Sequence, residues 1–152
     1  NGRQGHSVLS VTISGLKQLN INIKEFTGDM DKAVDDAVRI TAAKVQRTAI
    51  KTIRNPSMGT YVTRYTAGGK PYSHVAAKEG ASPNTDTGRL IGSIAMDHVK
   101  GQKVAYVGTN VDYGFFLETV QNRPWLQPSL NQEIAGFKIN MTRAVQMQIK
   151  KA

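Results

Sequence analysis

Cysteine is absent from this chain, which excludes disulfide staples and thiolate metal sites and is compatible with assembly in a reducing cytosol. Long apolar runs are also missing. None approaches the roughly 20 residues needed to cross a bilayer, so no membrane partner is expected. Residues 1–7, Asn-Gly-Arg-Gln-Gly-His-Ser, lack the apolar centre of a secretory signal, and the absence of an initial Met points to trimming or to residues upstream. Acidic residues are scarce: eleven Asp and Glu stand against twenty Lys and Arg, a formal charge of +9. Such a surplus favours polyanions or an acidic partner surface. The positive charge is scattered, densest at Lys44, Arg47, Lys51 and Arg54 and at Lys150-Lys151, with no basic arm.

What is present fits a folded protein. The 152 residues, with 39% hydrophobic and 20% charged side chains, suit one domain over 1–152 with a modest core. Residues 8–14, Val-Leu-Ser-Val-Thr-Ile-Ser, read as a first strand ended by Gly15. Leu16, Leu19, Ile23 and Phe26 then recur at helical intervals and suggest a short helix over 16–26. From 29 to 54 the positions Val34, Ala37, Val38, Thr41, Val45, Ala49 and Ile53 trace one helical face. Asp29, Asp31, Asp35 and Asp36 fall at its expected start and basic residues near its end, as the helix macrodipole favours. Asp35 and Arg39 have the i, i+4 spacing of an ion pair, and Asn55-Pro56 stops the helix.

Residues 56–86 are rich in glycine, proline and tyrosine. Extended segments near 60–66 and 72–77, joined by Ala67-Gly68-Gly69-Lys70, form a candidate hairpin arm, either a partner-seeking element or a loose loop. One or two helical turns over 88–94 lead into strands at 93–100 and 103–109, which Gly101-Gln102 would join by a two-residue type II′ turn. A short helix over 112–119 has Asp112 as its expected cap. Pro128 stands at the expected first position of a last helix, marked by Leu130, Ile134, Phe137, Met141, Val145 and Ile149. Trp125 is expected to anchor that helix to the sheet. This order predicts an α+β fold: a small antiparallel sheet with two long amphipathic helices on one face, plus the arm.

Tests for chemistry yield little. Asp86-Thr87-Gly88 matches the aspartic-protease triplet, but Asn84-Thr85 and Arg89-Leu90 surround it with a polar loop entering a helix, where Asp86 or Thr87 would serve as an N-cap. Gly68-Gly69-Lys70-Pro71 lacks the upstream glycine of a phosphate loop and carries Pro where Ser or Thr would hold magnesium. His6, His74 and His98 have no metal-binding spacing, and no Gly-x-Ser-x-Gly motif occurs. No catalytic residue, metal or cofactor is expected.

Three segments carry a resemblance. Asp86-Thr87-Gly88-Arg89-Leu90-Ile91-Gly92-Ser93-Ile94 resembles the "DTGxLxxSI" signature of tail-completion, or head–tail joining, proteins of lambda-like long-tailed bacteriophages. Val107 to Glu118, with Gly108, Tyr113 and Leu117, is similar to that family's "VGTNxxYAxxLE", and Arg123-Pro124-Trp125-Leu126-Gln127-Pro128-Ser129-Leu130 to its "RPFLxPAL". Order and spacing agree from about Val8 onward. After Leu-Glu the family has a Phe-Gly-Thr turn, whereas this chain has Thr119-Val120-Gln121-Asn122.

The resemblance implies a structural virion protein of the phage neck, not an enzyme. It would be assembled in the host cytoplasm and sited at the head–tail junction. Six copies would form a ring between the connector and the tail tube or its terminator, with genomic DNA passing non-specifically through the lumen. It marks Asp86, Thr87, Gly88, Leu90, Ser93, Gly108, Tyr113, Leu117, Glu118, Arg123, Pro124 and Pro128 as structural or interface positions. Residues 56–86 and 123–128 are the candidate contact patches. A small basic DNA-binding protein is the alternative reading, and a hydrolase using Asp86 a third.

Overall fold

The computed structural model describes residues 16–151; the expected strand at 8–14 lies outside them. Helix α1 runs from Leu16 to Arg54 without a break, merging the two helices that the sequence suggests. Gly28 weakens a helix by about 1 kcal/mol relative to Ala but does not stop one. The Thr27 hydroxyl donates to the Ile23 carbonyl at 2.7 Å, so it is satisfied within the helix instead of capping a new one. Consequently Asp29 to Asp36 lie inside α1, not at its start, and the dipole explanation holds only for Lys51 and Arg54 in the last turn. The predicted face is the packed one: Ala37, Val45, Ala49 and Ile53 are buried, with Ala42 beside them.

Strands β1 (Gly59–Tyr65) and β2 (Pro71–Ala77) pair antiparallel along seven residues each, from Gly59 opposite Ala77 to Tyr65 opposite Pro71. The arm is therefore a regular hairpin. Its tip turns on Gly69 at φ 77°, a left-handed value suited to glycine. At its base a Cβ on Gly59 would lie 1.9 Å from the Ala76 carbonyl oxygen, so only a bare backbone passes there.

Helix α2 (Arg89–Ser93) leads into β3 (Ala95–Val99), which pairs antiparallel with β4 (Val104–Gly108). Among the described residues the strands thus form two separate two-stranded antiparallel sheets, the arm and β3–β4, and the fold is α+β as expected. The β3–β4 ladder ends at Val99 opposite Val104, leaving residues 100–103 as a four-residue loop in place of the expected two-residue turn. Gly101 and Lys103 both have positive φ there. Asp35 explains the longer loop. Its carboxylate accepts the N–H groups of Gly101 and Lys103, each at 3.0 Å, and hydrogen-bonds the His98 ring at 3.0 Å. Asp35 therefore pairs with the hairpin and not with Arg39, whose contact is Asp36.

Helix α3 (Asp112–Thr119) follows, and α4 (Gln127–Lys151) ends the described chain. Asp112 lies in the first turn of α3, but Val111 is the cap residue and no side chain caps it. Pro128 is the second residue of α4, still within the turn whose N–H groups lack helical partners. Helix α4 packs along α1, and α1 packs on β3 and β4. The Thr48 hydroxyl donates to Glu133 at 2.7 Å across the helix pair. Of the expected α4 stripe Phe137, Met141 and Val145 are half-buried, and Ser129 is buried, whereas Leu130 and Ile134 are 40% and 44% exposed. They border an apolar groove of about 360 Å³ between α4, α1 and β4. The core comprises Ala49, Ile53, Leu90, Ile94 and Trp125. Trp125 thus anchors the start of α4 to α1 and α2, with β4 touching only through Val107 at the margin.

Candidate functional site

The three motif segments interlock around that core. Leu90, from the first, is buried against Trp125 from the third. The Ser93 hydroxyl donates to the Leu90 carbonyl at 2.8 Å and makes a short hydrogen bond with Thr109 of the second segment. Thr109 in turn accepts the Val111 N–H at 3.1 Å, fixing the entry to α3. Trp125 donates its indole N–H to the Gly114 carbonyl at 3.0 Å. A Cβ at Gly114 would lie 2.7 Å from Thr109 and 2.9 Å from Leu90, so α3 seats closely because this position has no side chain. Glu118 completes the unit by accepting the N–H groups of Trp125, Leu126 and Gln127 at 2.7, 2.9 and 2.9 Å. These donors stand at the start of α4, where no helical carbonyl can reach them.

The first motif does not cap α2 in the expected way. Gly88 is the cap residue, at φ 79°, and no side chain closes the helix. Thr87 accepts only a 3.4 Å contact from the Arg89 N–H. Asp86 turns instead to the arm, where its carboxylate accepts the Tyr72 hydroxyl at 2.8 Å. It also lies 3.8 Å from His74 Nδ1 and 3.9 Å from Arg64 Nε. That hydrogen bond favours the neutral phenol and raises the Tyr72 pKa above its ordinary value; partial desolvation and the Asp86 charge act the same way.

Further bonds fasten the arm. Asn84 accepts the Ser57 N–H at 2.6 Å and donates to the Ser57 and Val75 carbonyls at 2.9 Å. Arg123 Nε donates to the Ala77 carbonyl at 2.9 Å, while its own N–H reaches the Leu117 carbonyl at 2.8 Å. The loop that departs from the family pattern meets the arm as well: the Gly80 N–H donates to the Asn122 carbonyl at 2.6 Å, and Asn122 itself has φ 46°. These bonds join the base of the hairpin to the body of the fold.

Between the arm, α2 and α3 lies an open cavity of about 420 Å³. Of the motif positions, Asp86, Thr87, Gly88, Leu90, Tyr113, Leu117 and Arg123 line it. Glu118, Ser93 and Gly108 instead support the fold around it, and Pro124 and Pro128 lie on the chain leading into α4. Sequence reasoning missed Arg64, His74 and Arg89, which also line the cavity. No spacing rule links them, because the hairpin brings in the first two and α2 the third.

Arg64, Arg89 and Arg123 thus share the wall with one carboxylate, Asp86, which Arg64 approaches at 3.9 Å, while the Arg123 guanidinium donates to the Ala77 carbonyl and to Gln121. A protease-type carboxylate pair requires a second acid close by. His74 lies beyond hydrogen-bond distance of Asp86, so the two are not coupled as a base and its orienting group. Among the described residues, no group of three or more His, Asp or Glu side chains is placed to hold a metal. Guanidinium groups around an open, partly aromatic cavity are suited to receiving an anion. Comparison with protein-family models, curated proteins and solved structures returned no match.

Proposed function

We propose that this chain is a structural subunit of a long-tailed phage neck. Six copies form a ring at the head–tail junction of the virion, between the connector and the tail tube or its terminator, after assembly in the host cytoplasm. It acts by binding and not by catalysis. Genomic DNA passes through its lumen with weak, non-specific contacts, because tight phosphate binding would hold the genome in place.

One observation carries this reading. The motif segments on which the resemblance rests meet residue for residue in a single folded unit, through Leu90 with Trp125, Ser93 with Thr109, and Glu118 with the start of α4. Three short matches with no structural connection would not be expected to converge in this way. The convergence supports treating them as one inherited framework. From it projects the fastened hairpin, the kind of element by which a subunit grips a differently shaped patch on its neighbour.

The alternative, a small basic DNA-binding protein, draws on the +9 charge and the arginines beside the cavity. Immunogold labelling of the virion that encodes this chain, combined with negative-stain imaging of the purified protein, tests the proposal. Label at the head–tail junction and closed rings are expected. Label elsewhere, or a protein that stays monomeric and retains DNA at physiological salt, overturns it.

A further inference from the structure

One edge of β4 pairs with β3, and no strand pairs with the other among the described residues. Nor does any backbone group of residues 104–108 bond to backbone elsewhere among them. Such edges are templates for a further strand, and proteins commonly block them with charge or proline. The sequence of β4, Val-Ala-Tyr-Val-Gly, carries neither. Beside it lies the apolar groove. Helix α1 packs with both β4 and α4, but these two do not close on each other, and the groove of about 360 Å³ runs between them. Ala105 and Val107 of β4, Val38 and Val45 of α1, and Leu130 and Ile134 of α4 line it. Thr41 brings the one hydroxyl on the wall, and its proton is already given to the Ala37 carbonyl at 2.8 Å. A strand with one apolar face suits such a slot.

The chain contains such a segment. Leu9, Val11 and Ile13 alternate with Ser10, Thr12 and Ser14, the pattern that puts apolar side chains on one face of a strand and hydroxyls on the other. The segment directly precedes α1, which begins at Leu16. It cannot fill the groove of its own chain. Val38, the α1 residue of the groove nearest the start of the helix, lies roughly 33 Å from Leu16 at 1.5 Å per residue. Fully extended, the chain from Leu16 back to Leu9 spans at most about 25 Å. The groove of another copy is under no such limit.

We propose that residues 9–13 of one copy add as a third strand to the free β4 edge of the next copy, seating Leu9, Val11 and Ile13 in its groove. Backbone hydrogen bonds supply the hold, and the alternate apolar side chains set the register. Segment and groove are different surfaces of the same subunit, so the contact is head-to-tail and closes into a ring when its rotation allows. The inference rests on the ring reading, to which it adds the identity of the contact. Apolar burial and backbone bonds dominate it, so association withstands added salt, unlike a contact with phosphate.

Because the chain has no cysteine, disulfide cross-linking tests the contact directly. Full-length A105C is mixed with L9C, V11C or I13C, one partner carrying a tag that separates mixed pairs from like pairs, then oxidised and run on non-reducing gels. At least one of the three apolar positions should bridge to position 105 between chains, whereas S10C and T12C should not. In light scattering after size exclusion, L9D/V11D should lose at least tenfold in association while keeping its helical circular dichroism. Normal assembly of L9D/V11D overturns this contact and leaves the ring reading standing. So does a chain carrying both V11C and A105C that bridges only within itself, and so does association that collapses as salt is raised. Bridged pairs in a protein that never closes into rings uphold the contact and refute the ring. An unaltered protein that remains monomeric overturns both readings.

Discussion

The carboxylate of Glu118 accepts the backbone N–H of Trp125 at 2.7 Å, tying the end of α3 to the start of α4. Its oxygens also take the next two N–H groups, leaving three otherwise unpaired donors satisfied by one side chain. Replacing Glu118 by Ala would strand them and is expected to cost about 1–2 kcal/mol, the range seen for lost helix caps. Urea denaturation measures this directly. Gln, which keeps one acceptor oxygen, should fall between. A Glu118→Ala protein as stable as the parent would refute the assignment.

Asp35 gives the fold an acid-sensitive joint. Its carboxyl is held below the ordinary carboxylate range, first by the Gly101 N–H. Partial desolvation opposes the shift, while His98 and the Lys103 N–H reinforce it. A depressed folded-state pKa stabilises the fold above the unfolded value of about 4 and ceases to do so as pH falls through the folded value. Asp35→Asn should therefore melt below the parent at neutral pH, and the difference should shrink under acid conditions below about pH 4. Amide exchange at Gly101 and Lys103 should quicken in the variant. An unchanging gap across that window would sever the link.

Tyr72 and Asp86 provide the alkaline counterpart. The Tyr72 pKa is raised, chiefly because the phenol donates its hydrogen bond to Asp86. The resulting stabilisation is present below about pH 10 and disappears as pH rises through the higher folded value. Tyrosine ring carbons followed by NMR should show this residue ionising later than a free phenol. Asp86→Ala should bring its titration back toward the ordinary value. If Tyr72 titrates normally in the parent, the contact does not form in solution.

Gly59 sets the base of the arm. A methyl group there would meet the Ala76 carbonyl oxygen at 1.9 Å, and a backbone atom in a paired strand cannot retreat as a side-chain end can. Gly59→Ala is expected to destabilise the protein by about 1–3 kcal/mol, the usual cost of overpacking. It should also erase the cross-strand contact between residues 59 and 77, while the β3–β4 contacts persist. Retention of the 59–77 contact would show that the strand adjusts.

The elements best legible in the sequence were those that local pattern determines. The apolar spacing from Val34 to Ile53 gave the packed face of α1, and the glycines and prolines of 56–86 gave both arms of the hairpin. The α3 bounds followed from the short segment after Val111. Misreadings arose where a distant partner overrode a local preference. Asp35 had a suitable neighbour in Arg39, yet three donors more than sixty residues away hold it. Asp86 had the position of a cap and instead joins Tyr72. Periodicity located α4 and its half-buried Phe137, Met141 and Val145 but not the burial of Ser129 at its start, where the hydroxyl donates to the Trp125 carbonyl at 2.6 Å. The cavity was invisible for a similar reason, since Arg64, His74 and Arg89 share no sequence motif and meet only through folding.

The unbroken course of α1 has a geometric consequence. At 39 residues it is a rod of roughly 58 Å, and it carries both Asp35, which holds the β3–β4 loop, and part of the cavity wall at Ile53. No hinge lies between them, so their spacing is a property of the subunit itself. The rod works as a calliper between the two: a single turn added or removed would change their separation by roughly 5.4 Å.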